Sequence, residues 1–585
     1  MKQNPPTGEC AAVIFDARAD RWLAFRRVRA AHSAYRVADV LPALRQVEQE
    51  VARGQWAVGF LAYEAAPAFD PALVVKPSSG MPLLWFGIFD EPDSGAPLDF
   101  SESQPRYDLR WQPTVDRDAY RQAIARIKRL IQDGDTYQVN FTLRLRAAFP
   151  HAPWPLFVRL ADAQRARYCA FLDTPEWAIC SASPEMFFEW QGLELLSRPM
   201  KGTAPRGLWL DDDRARAAEL KASLKNRAEN VMIVDMVRND LGRIAALGSV
   251  KVTSLFDLER YPTVWQLTST VRCTTHAGIV AIFKALFPAS SITGAPKART
   301  MQIITELETT PRQVYTGAIG FIAPQRRAQF NVAIRTVLVD KQTGMAEYGT
   351  GGGIVWDSTA ADEFEEALAK TRILTRRTPL FSLLETMRWT PEAGVFLLDR
   401  HVRRLQDSAD YFGRRVELDA IQRLLEATTA ALAPVPHRLR LLVPEQDAPT
   451  LEAAPLRALA DPYRIRLAER PVDAQNPFLY HKTTVREVYD QALRDHPGYD
   501  DVLLWNQQGE LTETCIANVM VELDGEWFTP PLRCGLLAGT YRAWLLEQGR
   551  VKERVIRVEE LGQNPAIQLM NSVRGEWQAA LTPSV

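Results

Sequence analysis

Ser197–Gly207 reads SRPMKGTAPRG and sets Lys201 among proline, glycine and basic residues, a turn-like setting. Sixteen positions earlier lies Glu185, within SASPEMFFE, Ser181–Glu189. A lysine attacks carbon as an amine only when its pKa is lowered, and a neighbouring carboxylic acid can protonate a hydroxyl so that it departs. Lys201 and Glu185 are therefore candidates for the nucleophile and the acid of one site.

Five further segments lie around this pair. They are DTYQVNFTLR from Asp135, NRAENVMIVDMVRNDLGRI from Asn226, LFPASSITGAPKARTMQIITELE from Leu286, FNVAIRT from Phe330 and YGTGGGIVWDSTAADEFEEALAK from Tyr348. Together, and in this order over about Pro105 to Thr375, they resemble the chorismate-utilising enzymes. One of them alone, such as Gly351–Gly353, would read only as a turn. The resemblance implies chorismate as substrate, a cyclic dicarboxylate with a hydroxyl at C4.

Helical spacing places the acidic residues. Arg214–Val237 is expected to form one helix, with Leu220, Leu224, Ala228 and Val231 along its apolar stripe, so Glu229 is helical. Glu363 and Glu366, three apart in ADEFEEALAK, project from one face of another helix. Magnesium prefers a few carboxylates and retained waters, and with the resemblance Glu229 and Glu366 become its expected ligands, with Glu363 close by or acting through water.

The substrate's two negative charges need donors. Arg335 offers a planar fork, Tyr348 a hydroxyl, and Gly351, Gly352 and Gly353 backbone amides that no side chain shields. Lys297 and Thr293, in ITGAPKAR, and Gln138, in YQVNFT, are further substrate-binding candidates. Within the family, the resemblance is to the aminodeoxychorismate synthases. Anthranilate synthases carry a small apolar residue where Lys201 stands and commonly a histidine where Gln266 stands, and isochorismate and salicylate synthases carry a lysine base at the position of Gln138. The resemblance implies that Lys201 adds covalently to the ring, that Glu185 protonates the departing C4 hydroxyl, and that ammonia then displaces the lysine. No segment resembles a glutamine amidotransferase, so a separate glutaminase subunit is the implied ammonia source.

A second resemblance begins beyond LTRRTPL, Leu374–Leu380, where Pro379 disfavours helix in the residue before it. Its segments are LLDRHVRRLQDSADYFG from Leu397, YHKTTVREVYDQA from Tyr480, GELTETCIANVM from Gly509 and FTPPLRCGLLAGTYRAWLL from Phe528. They resemble the fold-type-IV pyridoxal-phosphate enzymes, and among these the aminodeoxychorismate lyases. Such a cofactor needs a lysine to hold it, an acid on its pyridine nitrogen and donors for its phosphate. Lys482, Glu513 and Arg404 are the respective candidates, joined at the phosphate by Gly539, Thr540 and Ser572. Thr386, in LLETMRW, is a candidate assisting donor beside Lys482, and dimerisation is expected because type-IV sites usually lie at dimer interfaces.

The expected organisation is a synthase-like domain over 1–374, a linker over 375–380 and a lyase-like domain over 381–585. The fold class is α/β (α+β): antiparallel sheets flanked by helices, then a two-subdomain pyridoxal-phosphate domain. A chain of 585 residues is too long for one ordinary core. Its 70 Lys and Arg against 71 Asp and Glu leave a net charge of -1, which gives no electrostatic reason to expect nucleic acid or a membrane as partner. MKQNPPTGEC lacks the apolar run of a signal peptide, so a cytoplasmic location is expected. The six cysteines show no CxxC spacing and suggest neither zinc nor disulfides, and EPDSGAP, Glu91–Pro97, reads as a surface loop. Two alternatives stay open: an anthranilate-type synthase fused to a D-amino-acid or branched-chain aminotransferase, and a chain in which one half is a binding or regulatory module.

Overall fold

The computed structural model describes residues 11–78, 80–94, 109–375 and 379–582. The first ten residues, Cys10 among them, and 376–378 of the expected linker lie outside these. The chain divides into two compact units, Met1–Pro205 with Ala217–Thr378, and Arg206–Arg216 with Pro379–Val585. The excursion of Arg206–Arg216 into the second unit departs from the expected division into two unbroken stretches.

Among the described residues the first unit holds two ten-stranded sheets, all of whose pairings are antiparallel. The strand Gln138–Ala148 is buried along most of its length and pairs in unbroken register with Met345–Ile354. Its sequence alternates polar with apolar residues, yet Gln138, Asn140, Thr142 and Arg144 are buried along with Val139, Phe141 and Leu143. In the other sheet, rings interlock across the core, with Phe188 and Phe330 5.1 Å apart and Phe283 edge-on to Phe330 at 4.9 Å.

The chain passes between these sheets repeatedly, and two of the passages lie side by side. Trp177–Ser183 of one sheet leads through Glu185 into Met186–Gln191 of the other, and Arg327–Val332 returns through Arg335 to Thr336–Asp340. The two crossings bond to each other, Val332 N to Glu185 O at 3.0 Å and Ala182 N to Arg335 O at 3.1 Å.

The expected helix over Arg214–Val237 is two helices, Leu210–Ala222 and Leu224–Gly242, broken where Ser223 caps the second through Asn226 N. Restarting the helix resets its phase. Leu224 is 81% exposed, and Val231 and Ala228 also face outward, while Ile233, Val234, Val237 and Leu241 are buried. The expected stripe is therefore corrected beyond Leu220, which is buried. Within Glu91–Pro97, Asp93–Ser94 form a short strand on Arg21–Phe25, and 95–97 lie outside the described residues.

The second unit has a four-stranded sheet, led by Leu383–Thr390 and His437–Val443, and an eight-stranded one that includes the parallel pair Arg464–Leu467 and Asp501–Trp505. Each has its own apolar core, as two subdomains require. Cys169, Cys180, Cys273, Cys515 and Cys534 are buried and unbridged. No helix among the described residues is long and apolar enough to cross a membrane.

Candidate active sites

The first unit encloses a cavity of about 350 Å³ lined by Glu185, Lys201, Glu229, Gln266, Arg335, Tyr348, Gly351–Gly353, Glu363 and Glu366, together with Lys370. Both sheets and two helices contribute. Lys201 stands on the strand Met200–Pro205, where a register shift against Val264–Thr274 turns the chain locally. Burial lowers the Lys201 pKa, opposed by Glu229 and Glu185. Burial pushes Glu185 the other way, up to about 7, although the Ser291 hydroxyl donates to it at 2.6 Å. A neutral amine and a protonated acid are the forms that attack and proton donation require.

Opposite them, the strand Met345–Ile354 pairs with Thr336–Asp340 only as far as Tyr348. Past that residue one edge loses its neighbour while the other stays paired with Gln138–Ala148, and Gly351–Gly353 line the cavity. A Cβ on Gly353 would come within 2.8 Å of Lys201 Nζ and 2.3 Å of Gln138 Nε2, so a side chain here would push against the Lys201 amine itself. Arg335 sits in a bend with φ 52°, an uncommon backbone state for a bulky residue. Its guanidinium donates to Lys370 O, and the Tyr348 hydroxyl donates to the same carbonyl at 2.9 Å.

Glu229 belongs to the helix Leu224–Gly242, and Glu363 and Glu366 to Ala360–Ala369. Glu363 accepts from Ser358 Oγ at 2.6 Å and is raised by burial, whereas at Glu366 burial is outweighed by Lys370, 2.8 Å away, with Lys201 and Arg335, and its pKa is lowered. These carboxylates offer hard oxygen donors on one cavity, chemistry that fits magnesium with retained waters. They do not form a preassembled cluster, for no group of three or more metal-ligating side chains is gathered among the described residues.

Three substrate-binding candidates lie outside the lining of this cavity. Lys297 is absent from the lining and pairs with Asp240 at 2.9 Å, because the helix it begins directs it to the Leu224–Gly242 helix. Thr293 is fully buried and spends its hydroxyl on the Ala289 and Ser290 carbonyls. Gln138 is likewise fully buried behind Gly353, beside the cavity but off its wall. Lys370 and Ser291 were not singled out from the sequence. The i,i+4 spacing of Lys370 from Glu366 was a usable signal; Ser291 carried none.

In the second unit Lys482 is buried, which with Arg404 lowers its pKa to about 8. Its carbonyl accepts from Leu384 N at 2.9 Å, tying its segment to the strand Leu383–Thr390. Glu513 is buried too, raised to about 7, and receives Tyr489 Oη at 2.8 Å, Asn518 Nδ2 at 3.1 Å and Leu537 N at 3.2 Å. Arg404 forks onto Glu385 at 2.9 and 2.6 Å and donates to Ala538 O at 3.1 Å, beside Gly539 and Thr540, which open the helix Thr540–Glu547. Burial would raise Glu385, but Arg404 and His401 hold it at about 2. Ser572 Oγ donates to Thr386 O at 3.5 Å, so these two candidates are neighbours. A buried amine, a buried acid held by three donors, and a guanidinium beside a helix N-terminus fit pyridoxal phosphate. Glu385, His401, Tyr489 and Asn518 escaped the sequence reading, since no spacing links them.

Residues 4–376 match the family of the chorismate binding enzymes and residues 382–581 that of the class IV amino-transferases. The aminodeoxychorismate synthase component 1 of Salmonella typhimurium is 41% identical over 267 residues, 45% of this chain and 58% of that protein. The aminodeoxychorismate synthase of Streptomyces griseus is 42% identical over 275 residues, 46% of this chain and 37% of that protein. The matched stretches thus span less than two thirds of these relatives' length. The anthranilate synthase component I of Streptococcus pneumoniae shares the fold, with a TM-score of 0.51 at 24% identity over 64% of this chain and 94% of that one.

Proposed function

Since this chain belongs to the chorismate binding enzyme family and carries a class IV amino-transferase region after it, we propose that it makes 4-aminobenzoate in two steps. The first unit aminates chorismate at C4 to 4-amino-4-deoxychorismate, and the second eliminates pyruvate from that product. The observation that carries the reading is the pairing of Lys201, lowered, with Glu185, raised, on one cavity.

In the first step Arg335 and the edge of Gly351–Gly353 hold the substrate carboxylates, with Tyr348 on the same wall. The Lys201 amine bonds to the ring as the C4 hydroxyl leaves with the Glu185 proton as water. Ammonia then replaces Lys201 at the ring and restores the free amine, and a separate glutaminase subunit supplies it. Glu229 and Glu366, with Glu363 close by, would hold magnesium against a substrate carboxylate.

In the second unit pyridoxal phosphate supplies an electron sink for the bond changes at the substrate's Cα. Lys482 would hold the cofactor, and its amine moves the proton at that carbon. Glu513 would pair with the ring nitrogen, and Arg404, the Gly539 and Thr540 amides and Ser572 would hold the phosphate. Thr386 assists beside Lys482, and a homodimer through this unit completes the reading.

Incubation with chorismate, ammonia and magnesium, with and without pyridoxal phosphate, tests the proposal. 4-Aminobenzoate and pyruvate should form with the cofactor, and 4-amino-4-deoxychorismate should accumulate without it. Anthranilate as the main product, or a requirement for a 2-oxo acid, would instead establish the synthase–aminotransferase alternative.

A further inference from the structure

Arg206–Arg216 falls inside the chorismate binding match yet packs as part of the second unit. It is built for that place. Arg206 grips Asp213 through two bonds of 2.6 and 2.7 Å, donates to Tyr411 O at 2.8 Å and lies 4.6 Å over the Tyr411 ring. The Tyr411 hydroxyl returns a bond to Gly207 O at 2.8 Å. Gly207 packs so closely on its own turn that a Cβ would fall 2.2 Å from Asp213 N.

These contacts present Trp209, whose ring stacks on Tyr480 at 5.3 Å and 30°. Leu208 and Trp209 pack with Leu479, Tyr480 and Tyr489. His481 lies between Tyr411, at 4.2 Å, and Ser408 Oγ, at 3.0 Å. Tyr480 and His481 directly precede Lys482. The Lys482 segment is therefore held from one side by Leu383–Thr390 and from the other by a piece of chain that the class IV match, 382–581, does not contain.

We propose that Arg206–Arg216 is a positioning strap for the Lys482 segment, with the Trp209 ring on Tyr480 as the contact that sets it. The proposal rests on the lyase reading only for its kinetic readout; the other readout is spectroscopic. A stacked ring fixes Tyr480 in orientation as well as in depth, which an aliphatic side chain of similar bulk does not.

The test compares full-length Trp209→Phe and Trp209→Leu, each loaded with pyridoxal phosphate. Trp209→Phe should keep the parent's cofactor absorption band, its pH midpoint and pyruvate release within about twofold. Trp209→Leu should shift that midpoint by about half a pH unit or more, or lose the band, and lower kcat about tenfold. Equal behaviour of the two variants, whether both match the parent or both fall alike, overturns the proposal. A parent that binds the cofactor but releases no pyruvate sinks the lyase reading instead and leaves the band comparison to decide the strap.

Discussion

The Ser291 hydroxyl donates to Oε1 of Glu185 at 2.6 Å, one buried side chain steadying the charged form of another. Burial nevertheless lifts the Glu185 carboxyl to about 7. As the acid, Glu185 must be protonated, so amination should fall as pH rises through about 7. Ser291→Ala removes a bond that favours the carboxylate, so that alkaline limb should move to higher pH. A pH profile of kcat/KM for parent and variant checks this, and an unmoved limb would count against Glu185 as the donor.

Lys201→Ala should abolish amination of chorismate, a loss of several orders of magnitude, while pyruvate release from supplied 4-amino-4-deoxychorismate persists. The two rates can be followed separately by product chromatography. Amination at the parent rate would eliminate the covalent step.

Glu366→Gln and Glu229→Gln should each raise the magnesium concentration for half-maximal amination about tenfold or more, because each removes an anionic oxygen donor. A magnesium titration of the initial rate decides. Unchanged titrations in both variants would remove these residues as ligands.

Glu308, Arg312 and Arg144 form a buried ionic group behind the cavity. Glu308 bonds Arg312 at 2.7 Å and Thr142 Oγ1 at 2.7 Å, and Arg312 donates to Asn140 O and Ile292 O. Burial raises Glu308, but Arg312 and Arg144 outweigh it and leave its pKa lowered. Its stabilisation is thus full above the ordinary carboxylate pKa and is lost as pH falls through the depressed value. Glu308→Gln should cost about 3–5 kcal/mol by leaving buried cations underpaired. Denaturant unfolding measures this; a change below about 1 kcal/mol would contradict it.

Lys482→Ala should lose the absorption band of lysine-bound cofactor and let 4-amino-4-deoxychorismate accumulate, since the first unit keeps its own nucleophile. Borohydride reduction of the parent should fix the label at Lys482, read by peptide mass analysis. Release of 4-aminobenzoate at the parent rate by the variant would place the lyase elsewhere.

The sequence alone reached the residues whose chemistry is carried in a short local pattern. Lys201 with Glu185, the glycines after Tyr348, the paired acids of Ala360–Ala369, and Lys482 and Glu513 all lie in segments that state their own surroundings. Tertiary structure decided what depends on distant partners. Lys297, a substrate-binding candidate by its segment, is paired with Asp240, 57 residues away in sequence. Helical phase, too, follows where a cap restarts the helix, which is why Ser223 turned Leu224 and Val231 outward. Ser291 against Glu185, Arg404 against Glu385 and Trp209 against Tyr480 are pairs between segments, and no local spacing encodes a contact that only packing brings about.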